Sequence, residues 1–119
     1  MSDAGGLDVA AIARLRELGG EKFVGDMIGL FFQYAPQRLA AARAGAQAGD
    51  LQAVEKAVHA LKSSAGQIGA RRVEDLATQI EKLATDKQAD ALRLLLPQLE
   101  EAITQVKPLL ERKWNQPPP

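Results

Sequence analysis

An all-α protein, an antiparallel four-helix bundle with a short additional N-terminal helix, is what this sequence predicts, on three observations. Its long segments carry apolar residues at steps of three and four, the spacing of a buried helical stripe. Alanine, leucine, glutamate, lysine, glutamine and arginine, the good helix formers, dominate those segments, and no stretch reads as a strand. Glycine and proline punctuate the chain so that only short loops remain, which makes successive helices antiparallel neighbours.

Residues 1–6 are small and polar and read as a flexible N-terminus; residues 7–114 form the helical domain, and residues 115–119 a Pro-rich tail. Asp8 is the N-cap of a short first helix bearing Val9, Ile12, Leu15 and Leu18, stopped by Gly19-Gly20. The second helix begins near Glu21 and reaches about Ala48. Pro36 removes one of its hydrogen bonds and predicts a kink or a division there. Two sets of side chains compete for the core on this helix: Phe23, Met27, Phe31 and Tyr34 against Val24, Ile28, Phe32 and Ala35. The surplus is expected to meet the first helix, or else to form an apolar patch for a partner. Asp50 caps the third helix, whose stripe is Leu51, Val54, Val58, Leu61, Ala65 and Ile68, and Gly69 closes it. The next helix runs from about Arg71 to Ala84 with Val73, Leu76, Ile80 and Leu83. Thr85 or Asp86 is expected to cap the last, which carries Leu92, Leu96, Leu99, Ile103, Val106 and Leu110 and should bend at Pro97 or Pro108. Trp114 is expected to pack over the bundle's end.

With 119 residues the chain suits one domain, large enough to bury roughly two-thirds of its unfolded surface. Fifteen basic residues balance fifteen acidic ones, without the basic excess or stripe of a nucleic-acid binder. The absence of cysteine excludes disulfides and thiolate metal sites, and one histidine makes a zinc site improbable, so no metal ligands are assigned. No apolar run is long enough to span a membrane and the N-terminus is not a signal peptide, so a soluble cytoplasmic protein is expected. No phosphate-cradling Gly-x-x-x-x-Gly-Lys loop occurs either, which speaks against a kinase.

The single histidine, His59, lies within the third helix. At about 100° per residue it stands well over a right angle from the centre of the buried stripe. Its neighbours at helical spacing are Glu55, Lys62, Ser63 and Gly66. The helix therefore presents an imidazole to water beside a cation and small residues. Triad-type base catalysis with Ser63 would need a pocket and an oxyanion hole, which adjacent turns of one exposed helix do not supply. A nucleophile's role needs less: a neutral ring held still, room for a donor, and a nearby positive charge.

The run His59-Ala60-Leu61-Lys62-Ser63-Ser64-Ala65-Gly66-Gln67-Ile68-Gly69 resembles the signature of histidine-containing phosphotransfer (HPt) domains, His-x-Leu-Lys-Gly-Ser-x-x-x-x-Gly. The resemblance covers about residues 7 to 110. Phe31-Phe32-x-x-Ala35-Pro36 is similar to the family's second helix, Ala48-Gly49-Asp50 to its turn, and Leu76-x-x-x-Ile80-Glu81 to the helix after the signature. Ser63 departs from the pattern, standing where most members carry glycine.

This resemblance implies a phosphorelay intermediate, a phosphocarrier rather than an enzyme. His59 would take a phosphoryl group from the aspartate of a response-regulator receiver domain, free or within a hybrid sensor histidine kinase, and pass it to another receiver. Such transfer depends chiefly on positioning and electrostatics. No cofactor is expected on this chain; the receiver would bring the Mg²⁺ ion. Lys62 would steady the phosphoryl oxygens as a mobile point charge. Glu81 falls where the family places a polar residue able to hydrogen-bond the imidazole, and its carboxylate would fix the tautomer. Gly66, with Ser63 and Ser64, would let a partner's rim approach; Gln67 is a candidate for contact with partner or phosphate. Ser63 is expected to make transfer slower or more selective. A monomer suffices for this work. The competing reading is a degenerate HPt domain, a helical adaptor that binds a signalling partner without being phosphorylated.

Overall fold

The computed structural model describes residues 6–115; the expected loose N-terminus before Gly6, the tail beyond Asn115 and the packing of Trp114 lie outside the described residues. Four helices follow one another: α1 (Val9–Ala48), α2 (Leu51–Ile68), α3 (Arg71–Thr85) and α4 (Ala89–Asn115). In the order of the chain each packs on the next, and α1 closes the ring against α4. The result is an up-and-down bundle with extents of 47 × 23 × 19 Å.

Asp8 is the N-cap of α1, accepting from the amide of Ala10 at 3.1 Å. The short first helix of the sequence reading is the opening of α1, and its boundary lies at Gly20, the one residue inside α1 with non-helical angles (φ 79°, ψ −173°). The redirection there leaves Leu18, expected in the stripe, 78% exposed. The helix does not divide at Pro36: the backbone stays helical through it, and α4 likewise runs through Pro97 and Pro108. All three prolines lie on exposed positions. Past Gly20, α1 buries Val24, Ile28, Phe31, Ala35, Leu39, Ala42 and Ala46, a stripe that draws Phe31 from one of the two competing sets and Val24, Ile28 and Ala35 from the other. The surplus does not all find cover. Met27, Leu30 and Tyr34 line a groove between α1 and α2 instead of lying beneath the first helix.

Three helices end in the same motif. Gly49 and Gly69 adopt left-handed conformations (φ 72° and 77°). The paired closing bonds are Gly49 to Ala46 O and Asp50 to Gly45 O after α1, and Gly69 to Gly66 O and Ala70 to Ala65 O after α2. After α3 a lysine occupies the equivalent place: Lys87 has φ 59°, with Lys87 bonded to Ala84 O and Gln88 to Leu83 O. This is the six-to-one and five-to-two pattern of a Schellman cap, normally built with glycine. It also corrects the expected start of α4, since Thr85 and Asp86 complete α3 and the last helix begins at Ala89. Because a left-handed L-residue is strained by about 1–2 kcal/mol, partly offset by glycine's larger entropy loss, Lys87→Gly is expected to raise stability by roughly 0.5–1 kcal/mol. A urea melt showing no gain would contradict this account of the turn.

The segment before α1 is laced to the α2–α3 turn. Leu7 and Ala70 form an isolated antiparallel bridge, with Asp8 N–H donating to Gly69 O at 2.8 Å and Arg71 N–H to Gly6 O at 2.9 Å. At the opposite turn the guanidinium of Arg93 donates to Ala46 O at 2.8 Å and so ties α4 to the end of α1. The first set of bonds anchors the α2–α3 turn, where the two helices meet.

Candidate functional site

The stripe Val54, Ala57, Val58, Leu61, Ala65 and Ile68 buries one side of α2 and rotates His59 into solvent, with 61% of its side chain exposed. Opposite, α3 buries Val73, Leu76, Ala77, Ile80 and Ala84, which places Glu81 at the edge of the α2–α3 seam. Its carboxylate joins two side chains of α2. Oε2 lies 2.5 Å from Nδ1 of His59, and Oε1 accepts from Nζ of Lys62 at 2.6 Å. Glu81 and Lys62 are largely covered (side chains 20% and 29% exposed), whereas the imidazole stands out.

Lys62's hydrogen bond holds Glu81 below the ordinary carboxyl value of 4.5; burial pushes the other way, and the bond from His59 adds to the lowering. A carboxylate only accepts, so Nδ1 of His59 is assigned the proton. In the neutral ring, Nε2 then carries the free lone pair. A group with a depressed folded pKa stabilises above its unfolded value and loses that contribution as pH falls through the folded one. Wild type is therefore expected to exceed Glu81→Gln in stability at neutral pH, with the gap closing as pH falls below 4.5. A gap unchanged by acid, measured by urea melts at both pH values, would contradict it.

Lys62 is thus engaged with Glu81, one turn from the imidazole, rather than held over the ring. Ser63 is exposed on the same face. At Gly66, read from sequence as a site of partner approach, the carboxylate of Glu74 reaches across from α3 to 2.7 Å from where a Cβ would lie, a contact that a turn of the flexible Glu74 side chain would relieve. Gln67 is exposed and belongs to the α1–α2 groove with Met27, Leu30, Tyr34 and Ser64 rather than to the imidazole's surroundings. The cleft at His59, about 370 Å³, is lined by Gln52, Glu55, Lys56, His59 and Glu81. The sequence reading passed over Gln52 and Lys56, although Lys56 stands three residues before His59 as Lys62 stands three after. Among the described residues no cluster of His, Cys, Asp and Glu could hold a metal ion, and no helix is long and apolar enough to cross a membrane.

Four helices surround one core, and the second presents a lone imidazole to solvent. The chain belongs to the Hpt domain family, whose model matches residues 26–108. Members act as phosphocarriers in two-component phosphorelays, where they meet receiver domains and kinases. Among solved structures, histidine-containing phosphotransfer protein B from Pseudomonas aeruginosa PAO1 superposes with a TM-score of 0.86 at 23% identity, over 98% of this chain and 100% of that one. A putative histidine-containing phosphotransfer protein from rice superposes with a TM-score of 0.76 at 22% identity, covering 92% of this chain and 79% of that one. A comparison with curated proteins finds no significant match.

Proposed function

We propose that His59 receives a phosphoryl group from the phosphoaspartate of one receiver domain and delivers it to the aspartate of another. The lone pair on Nε2 attacks phosphorus as the acyl-phosphate P–O bond breaks; an N–P bond forms and the donor's aspartate leaves as a carboxylate. The return step is the same exchange toward the second receiver. The observation that carries this reading is the exposed imidazole with Nδ1 held at 2.5 Å by Glu81, an arrangement that orients the ring and directs the other nitrogen outward. Catalysis of this kind rests on position and charge. Lys62, one turn along α2, is the cation able to turn from Glu81 toward the arriving phosphoryl oxygens. The Mg²⁺ ion belongs to the receiver in this scheme, and the chain works as a monomer with no cofactor of its own. Ser63, exposed where the family pattern has glycine, narrows the approach and tunes rate or partner choice; Ser63→Gly is expected to speed transfer from at least one receiver.

The test is incubation with receiver domains phosphorylated by a small-molecule donor. An acid-labile, base-stable label on this protein is expected. Tight binding of a receiver with no such label would make the chain an adaptor.

A further inference from the structure

We infer that Arg38 and Lys56 form a receptor for an acidic side chain on the receiver that docks over His59, and so select among receivers. This rests on the phosphotransfer reading above. A groove of about 580 Å³ runs between α1 and α2, walled by Ala41, Ala53 and Ala57 and flanked by Tyr34, Arg38 and Lys56. Two cations and no acid line it. Neither cation belongs to an ion pair among the described residues.

Arg38 is held against the groove wall with no acid to balance its charge. Its guanidinium carbon lies 5.8 Å from the centre of the Tyr34 ring, and its Nε is buried without any hydrogen-bond acceptor. That buried Nε is closed to an incoming group, so the charge of the planar guanidinium, which a carboxylate complements, is what a partner would meet. The small alanine walls leave room for a side chain to enter from outside. Lys56 lines this groove and also the cleft of His59. Any protein that brings a phosphoaspartate to Nε2 therefore covers Lys56 and reaches the groove's mouth. Tyr34 and Leu30, 42% and 46% exposed beside it, provide the apolar surround that excludes water from such a contact. The occupant consistent with these features is an aspartate or glutamate on the receiver's docking surface, held away from the reacting atoms and read by charge.

The experiment uses the full chain and a panel of receiver domains from the same genome, each phosphorylated with acetyl phosphate, with phosphoramidate as a donor that needs no docking. Arg38→Glu is expected to slow transfer from the fastest receiver roughly tenfold or more, and Arg38→Lys far less. Both should keep wild-type labelling by phosphoramidate and a wild-type melting curve. Wild-type transfer should slow with added salt more steeply than that of Arg38→Glu, and an acid-to-lysine change on the receiver should rescue the glutamate variant. The inference is overturned if Arg38→Glu and Lys56→Glu both match wild type with every receiver. It is also overturned if inorganic phosphate perturbs the Arg38 Nε–H resonance and competes with transfer while no receiver change rescues the variant. If His59 is labelled neither by phosphoramidate nor by any receiver, the carrier reading itself has failed.

Discussion

The His59→Gln variant is expected to fold as wild type does and to carry no phosphoryl group from any donor. With 61% of the imidazole exposed, little packing is lost, and glutamine's amide can still donate to Glu81. Surface changes of this kind move stability by about 0.5 kcal/mol or less. Glu81 keeps its bond from Lys62, so the α2–α3 seam stays closed. An amide nitrogen has no lone pair available for attack on phosphorus, so loss of label should be complete under both receiver and phosphoramidate. Full labelling of His59→Gln would show that another side chain, Ser63 first among them, takes the group.

Gly69→Ala is expected to produce the largest loss of stability among single-methyl additions at the turns. Two penalties coincide there. The residue has φ 77°, and a Cβ would lie 2.4 Å from the carbonyl oxygen of Asp8, a backbone atom that cannot swing aside. That oxygen accepts from Ala11 at 3.1 Å, and Gly69 O accepts from Asp8 at 2.8 Å. The methyl must therefore break either the left-handed turn or the bridge that anchors the chain before α1. Strain plus lost hydrogen bonds amounts to about 3 kcal/mol, a fall in Tm of about 10 °C. Gly49→Ala is the control: φ is 72° but nothing lies within 4 Å of its Cβ, so only the conformational penalty of about 1–2 kcal/mol applies. Equal losses at the two positions would contradict the assignment of a steric role to Asp8.

The elements legible from sequence were those whose signals are local. The caps Asp8 and Asp50, the glycine stops at Gly49 and Gly69 and the stripes of α2, α3 and α4 each follow from a few adjacent residues. His59's exposure followed in the same way, because the stripe fixes the rotation of α2. Features that depend on another helix were less legible. Pro36 looked like a break, yet on an exposed face its missing amide is tolerated while the interruption falls at Gly20. The start of α4 was placed too early, at a cap by Thr85 or Asp86, because the left-handed turn that intervenes is made by Lys87 and not by a glycine. Gly66 looked like open space until Glu74 was placed across it. Lys62 could be put one turn from His59, but its engagement with Glu81 depends on how α2 and α3 meet. The cationic groove of Arg38 and Lys56 also requires two helices, and charge spacing along one chain does not reveal it.

The most direct measurement is the site and isomer of the phosphorylated ring. Nitrogen and phosphorus NMR of the protein labelled by a receiver should show a single phosphohistidine at His59, bonded through Nε2, with Nδ1 still protonated against Glu81. A phosphoryl group on Nδ1, or a label on any other residue, would contradict the mechanism derived from this geometry.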